Sequence, residues 1–174
     1  MSVSHFITYL DCEKKYSPYT ITAYRNDLIS FEQFCKKEFQ IIEISNVSYT
    51  IIRSWIVELV EHKISNRSIN RKISSLRSYF NYLLKSKQLD EHPLRKHQSL
   101  KVEKRVNVPF SEKEMNEVLD FFDQADGFEL VRDKLIIELL YTTGMRRAEL
   151  IGLKDTSIDL SQSVVKVLGK RNKE

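Results

Sequence analysis

The sequence predicts a mainly α protein in two parts, a helical N-terminal domain over residues 1–95 and the start of an α+β domain over 110–174, with a basic linker at 96–109 between them. Three features of the chain predict it. Apolar residues recur at helical spacing in segment after segment from Phe6 to Leu150. The pattern lapses at His92-Pro93 and in LRKHQSLKVEKRVNVP (94–109), which has no periodic stripe. The clearest strand-like run, Val164-Val165-Lys166-Val167-Leu168, comes only after the last helix.

Residues 3–14 place Phe6, Ile7 and Leu10 on one helical face, with Tyr9 beside them. Ser17 and Pro18 supply a cap and a first helical residue for a second helix reaching about Lys37. Its stripe is Ile21, Tyr24, Leu28, Phe31 and Cys35. Residues 40–47 are β-branched and predict a short extended connection, and Ser48 opens a third helix with Ile52, Trp55, Ile56 and Leu59 inward. Ser65 or Asn66 caps a fourth helix that runs to about Lys87. At about 100° per residue, Ile69, Ile73, Leu76, Phe80, Leu83 and Leu84 fall within about 60° of Ile69. Arg67, Arg71, Ser74, Ser78 and Lys85 cluster opposite, with Asn81 nearby.

Beyond the linker, Ser111-Glu112-Lys113-Glu114 has the capping-box pattern and introduces a helix with Met115, Val118, Leu119 and Phe122 inward. After a break at Asp126-Gly127, residues 129–141 are apolar nearly all round, which predicts a helix buried in a core. Tyr141, at its end, reads as core. Thr143-Gly144 stops that helix, and a further one begins near Met145. A turn at 155–157, the strand and a turn at 169–172 complete the chain. A lone strand entering a turn leaves its backbone groups unpaired, so the second domain is expected to be incomplete.

The formal charge of +4 is unevenly spread. Residues 1–107 carry 18 basic against 11 acidic side chains, and 108–174 carry 10 against 13. Residues 62–105 alone hold 12 basic and 3 acidic, a block that points to an acidic polymer or an anionic membrane surface. No apolar run approaches the roughly 20 residues needed to cross a bilayer, so the membrane reading loses its support. Cys12 and Cys35 form no CxxC, which suggests neither a disulfide framework nor a zinc site and fits a reducing cytoplasm. The fourth helix contains no Asp or Glu from Ser65 to Lys87, which favours a surface that meets phosphates. The candidate DNA contacts are Arg25, Arg67, Arg71, Lys72, Arg77, Lys85, Lys101, Lys104 and Arg105.

In residues 141–153, YTTGMRRAELIGL, Arg146 and Arg147 stand at the expected start of a helix, where the unpaired N–H groups already carry positive charge. A phosphate there would accept from the backbone and from a guanidinium fork, converting a repulsion into a binding site.

LLYTTGMRRAELIGL (139–153) followed by SIDLSQSVVKVLGKRNKE (157–174) resembles the start of the catalytic domain of the tyrosine recombinase or phage integrase family, in particular its Xer-like group. YSPYTITAYRNDLISF (16–31) and SINRKISSLRSYFNYLL (68–84) resemble the two signature helices of that family's SAM-like core-binding domain. The resemblance implies a SAM-like helical domain followed by the truncated start of an α+β catalytic domain. It implies that Arg146 holds the scissile phosphate, that Glu149 orients Arg146, and that Lys170 is the general acid to the departing 5′ hydroxyl. Arg147 falls where the family varies. Arg171 stands where a glycine is common and Ser157 where an aspartate is usual. The family's later His, Arg, His or Trp and its tyrosine nucleophile would lie beyond Glu174.

The implied parent breaks and rejoins double-stranded DNA through a 3′-phosphotyrosine bond, without metal or nucleotide cofactor, as a homo- or hetero-tetramer of protomers in the cytoplasm at the nucleoid. This piece is expected to bind DNA without cutting it. Two alternatives stand beside that reading: a non-catalytic DNA-binding remnant or regulator, and a helical module that meets an acidic protein.

Overall fold

The computed structural model describes residues 3–104, 106–123, 127–167 and 169. The chain divides into two compact units, residues 1–105 and 106–174.

The first unit holds α1 (Val3–Cys12), α2 (Pro18–Phe39), α3 (Tyr49–Glu61) and α4 (Asn66–Lys85). Ser17 caps α2, its hydroxyl accepting from the Thr20 N–H at 3.4 Å, and Pro18 takes the first helical position, where its missing N–H costs nothing. Gln40 ends the helix with φ +57°, and the Ile41 N–H turns back to the Cys35 carbonyl at 3.1 Å. Between α2 and α3 the chain makes a 3-10 turn at Ile44–Asn46 where an extended connection was expected, because Ile44 and Val47 both turn inward and are buried. Ser65, not Asn66, caps α4 by accepting from the Ser68 N–H at 3.3 Å.

The apolar stripes of the four helices close on one another, α2 packing against α1, α3 and α4. Phe6, Leu10, Leu28, Phe31, Ile52, Trp55, Ile69, Leu76, Phe80 and Leu83 are all but inaccessible, and burial of each such side chain stabilises the fold by roughly 1.5–3 kcal/mol before entropy is subtracted. On α4 the predicted stripe is buried except for Leu84, which is half-buried, and Tyr79 joins it.

The first unit continues past α4. Leu94 is buried, and the side chain of Asn70 on α4 pairs with both backbone groups of Leu100, accepting from its N–H and donating to its carbonyl, each at 2.9 Å. Asn66 donates to the carbonyl of Lys101 at 2.8 Å. The expectation of an exposed linker from Leu94 onward is corrected for residues 94–101. Two asparagines satisfy the backbone there as a neighbouring strand would, and hold Leu100 against the core.

The second unit holds α5 (Glu112–Asp123), α6 (Phe128–Thr143), α7 (Arg147–Ile151), a 3-10 turn at Asp155–Ser157, β1 (Ile158–Asp159) and β2 (Val164–Val165). The capping box at Ser111 is complete: Glu114 accepts from the Ser111 N–H at 2.8 Å and returns its own N–H to the Ser111 hydroxyl at 3.3 Å. Those bonds hold the Glu114 carboxyl below its usual range, the backbone donor contributing most. Gly144, at φ +64°, ends α6 in the left-handed conformation that a side chain would strain.

Two expectations are overturned here. No described residue of α6 is buried; Leu135 is 53% exposed and Tyr141 46%, so neither is core. α5 and α7 pack on part of its circumference, and an all-round apolar helix needs cover on every side. The strand is also not alone. β2 pairs antiparallel with β1, Ile158 opposite Val165 and Asp159 opposite Val164. Asp159 closes their turn by accepting from the N–H groups of Ser161 and Gln162 at 3.0 and 3.1 Å, which makes this an Asx-type turn.

Candidate nucleic-acid interface and phosphate clamp

Along α4, Arg67, Ser74, Asn81 and Lys85 are exposed and Ser78 is half-buried, all on the arc away from the core, and Arg77 is exposed at the edge of that arc, about 80° round from Ile69. The cap at Ser65 and the buried stripe fix the rotation of the helix, so this arc faces solvent along several turns. Arg67, Arg77 and Lys85 have no carboxylate partner among the described residues. Such a row of cations suits a backbone of phosphates.

Arg71 and Lys72 do not belong to the free part of that row. Asp27 of α2 is 1% exposed and draws four donors from α4. Arg71 reaches its two carboxylate oxygens at 2.5 and 2.9 Å, the Ser75 hydroxyl at 2.8 Å and the Lys72 ammonium at 3.4 Å. Lys72 is largely buried and also lies 5.7 Å from the centre of the Trp55 ring. Both were expected to contact DNA. Lys72 is corrected to a structural cation, and Arg71, half exposed, spends both terminal nitrogens on Asp27. The acid-free composition of α4 concealed this, because the countercharge comes from another helix. The sequence did hold a signal for it: one aspartate sits against the apolar stripe of α2, between Tyr24 and Leu28.

Arg25 is exposed but lies about 200° round α2 from Asp27, beside Val3, Ile7, Ile29 and Glu32, away from the α4 row. Lys101 and Lys104 are exposed past the point where Asn66 pins the chain. Arg105 lies outside the described residues.

In the second unit the backbone extends at Arg146 and turns helical at Arg147, so Arg146 is the cap residue of α7 and not part of its first turn. Glu149 binds it twice, accepting from the Arg146 N–H and from its guanidinium Nη1, each at 2.7 Å. The anion at this helix end is therefore the chain's own carboxylate, and α7, with five residues, has little dipole to offer another. What remains for an incoming phosphate is the guanidinium itself, whose side chain is 71% exposed while that of Glu149 is 10% exposed. A fork held on one side by a carboxylate and open on the other is a pre-oriented donor.

The same bonds hold the Glu149 carboxyl below its usual range, the Arg146 N–H contributing most. The carboxylate form therefore favours the fold above the ordinary glutamate pKa, and its contribution fades only as pH falls through the depressed value. The Arg146 amide signal in an NMR titration should hold its neutral-pH position through the ordinary glutamate range and move only below it. Arg147 is exposed. Lys170 and Arg171 lie outside the described residues.

Tyr79 is 1% exposed, out of reach of a substrate, and burial first, then Glu32, pushes its hydroxyl up to about 12. Cys35 is likewise pushed up to about 12 by burial, while Cys12 is exposed. Among the described residues no three His, Cys, Asp or Glu side chains form a metal-sized cluster, and no helix is long and apolar enough to cross a membrane.

Two family models match the chain in succession. The family model described as the phage integrase N-terminal SAM-like domain matches residues 3–87, and that of the phage integrase family matches residues 108–174. The chain is 39% identical over 171 residues to tyrosine recombinase XerC of Leptospira interrogans, covering 97% of this chain and 54% of that protein. It is 35% identical to tyrosine recombinase XerC of Pediococcus pentosaceus, covering 99% and 57%, and 37% identical to that of Anoxybacillus flavithermus, covering 97% and 56%. The chain thus spans a little over half the length of these relatives. A crystal structure of XerA recombinase is similar at 22% identity and a TM-score of 0.44 over 98% of this chain and 56% of that one. A SAM-like helical unit followed by the beginning of a catalytic domain, matched in order along the chain, makes this protein a member of the phage integrase family of tyrosine recombinases.

Proposed function

We propose that these 174 residues are the DNA-binding portion of a site-specific tyrosine recombinase. The observation that carries this reading is the exposed row Arg67, Arg77 and Lys85 on a helix without a single carboxylate. α4 lies along duplex DNA with Lys101 and Lys104 beside the same strand path, and Arg146 holds the phosphate at which the parent enzyme cuts. Glu149 aims Arg146, and Lys170 protonates the departing 5′ hydroxyl. The nucleophilic tyrosine and the remaining catalytic side chains belong to the part of the family's catalytic domain that these residues do not match. The apolar girth of α6 is the surface on which that part packs. The working unit is a tetramer on two duplexes, acting at the nucleoid in the cytoplasm.

Duplex binding should weaken linearly in log affinity against log salt, with a slope of about −0.9 for each phosphate neutralised. Arg67→Ala and Arg77→Ala should each weaken binding to all sequences alike and flatten the slope by about one. The 174-residue chain should form no covalent adduct with a suicide duplex. A salt-independent affinity that excess DNA does not compete would replace this reading with a protein-binding module.

A further inference from the structure

A hollow between the end of α1 and the C-terminal half of α4 has no part in the roles described so far. It is lined by Tyr9, Leu10, Lys14 and Tyr16 from one side and by Ser78, Asn81, Tyr82 and Lys85 from the other. Among the described residues no carboxylate lines it and neither Lys14 nor Lys85 has an ion-pair partner. Its floor is rigid. Tyr9 and Tyr82 pack in a tilted pair with centroids 4.8 Å apart, each also against the buried Phe6, and the Lys14 ammonium sits 5.8 Å from the centre of the Tyr9 ring. Two ammonium-bearing lysines, an amide and a hydroxyl thus line one concavity together with three tyrosines, and the lysines, the amide and the hydroxyl are donor types. That inventory fits a tetrahedral oxyanion, and the aromatic floor keeps the Lys14 stem from collapsing into it.

We propose that this hollow is a phosphate site, and that its occupant is a backbone phosphate of the duplex lying along α4. Ser78, Asn81 and Lys85 belong both to the hollow and to the exposed arc of α4, so a strand following that arc from Arg67 arrives at the hollow without a break. Lys14 and Tyr16 are then DNA contacts contributed by a segment outside the α4 helix. The inference rests on the DNA reading proposed above and deepens it.

The test is a salt titration of duplex affinity for the 174-residue chain carrying Lys14→Gln, with Arg67→Ala as the reference and circular dichroism to verify the fold of both. Lys14→Gln keeps most of the stem over Tyr9 and removes the charge. The expected result is an affinity loss of about threefold at moderate salt and a slope shallower by about 0.9, as for one phosphate released. Lys14→Arg should restore both. If Arg67→Ala weakens binding and Lys14→Gln changes neither affinity nor slope, the hollow is not a DNA contact and the wider DNA reading survives. If neither variant changes duplex binding, both fail. In a parallel arm, inorganic phosphate is titrated against the Asn81 side-chain amide signal without DNA. Saturation at low millimolar phosphate, with duplex affinity indifferent to Lys14, would make this a free-anion site and overturn the assignment to the DNA backbone.

Discussion

Arg71→Ala is expected to destabilise the first unit by about 2–3 kcal/mol and to lower its thermal midpoint by roughly 10–20 °C. The substitution leaves Asp27 1% exposed with only Ser75 and a longer contact to Lys72 in place of a two-pronged guanidinium. Breaking a buried pair by removing one partner costs about 3–5 kcal/mol when nothing else compensates; the surviving donors and the half exposure of Arg71 set the figure lower. The measurement is direct, because the chain's single tryptophan, Trp55, is buried in this unit and reports its unfolding by fluorescence. Asp27→Leu combined with Arg71→Met and Lys72→Met should recover most of the loss, since it removes both cations that Asp27 pairs with and apolar side chains of similar volume avoid the desolvation of the charges. A midpoint for Arg71→Ala within a degree of the wild type would show that the cluster contributes nothing net. The same prediction disqualifies Arg71→Ala as a probe of DNA contact, since any loss of binding would be mixed with loss of fold. Arg67 and Arg77, which no carboxylate among the described residues holds, are the proper probes.

Arg146→Ala should lower duplex affinity only by the share of one phosphate contact, about threefold at moderate salt, and reduce strand cleavage by roughly 10²–10³-fold in the proposed parent enzyme, in line with loss of a single charge-stabilising donor. The modest effect on binding follows from number: one of several phosphate contacts is lost, whereas the developing charge of the reacting phosphoryl group loses its fixed fork. Glu149→Gln should have a smaller effect on cleavage, up to roughly 10²-fold, because the guanidinium remains but its aim is loosened. The two variants can be compared on a suicide duplex by the rate of covalent adduct formation. Equal cleavage by Arg146→Ala and wild type would remove Arg146 from the phosphate-clamping role. A Glu149→Gln enzyme slower than Arg146→Ala would show that the carboxylate does more than position.

Much of this was legible in the sequence, and for identifiable reasons. Helix starts were readable where a short polar side chain precedes the helix, as at Ser17, Ser65 and Ser111, because a cap is a bond between near neighbours. The α4 stripe was readable because helical periodicity is a property of one segment alone. The closeness of Arg146 and Glu149 was readable for the same reason, since three residues separate them along a single turn. The end of α6 was readable at Gly144, where the backbone needs the left-handed conformation.

What escaped the sequence lay between segments. The acid-free face of α4 looked free along its whole length, yet Asp27, 44 residues from Arg71, occupies one border of it. Asn70 reaches 30 residues ahead to hold Leu100, which turned an expected linker into part of the first unit. The strand at Val164 was expected to be alone because its partner, Ile158–Asp159, is two residues long and carries no alternation to detect.

By itself, then, the sequence determined the helices, the family and the positions of Arg146 and Glu149, all of which depend on near-neighbour chemistry or on an ordered set of motifs. Only the tertiary structure decided which cations are free. A charge's availability depends on the carboxylates that folding brings to it, and Asp27, distant in sequence and buried against α4, takes Arg71 and Lys72 while leaving Arg67, Arg77 and Lys85 open to a partner.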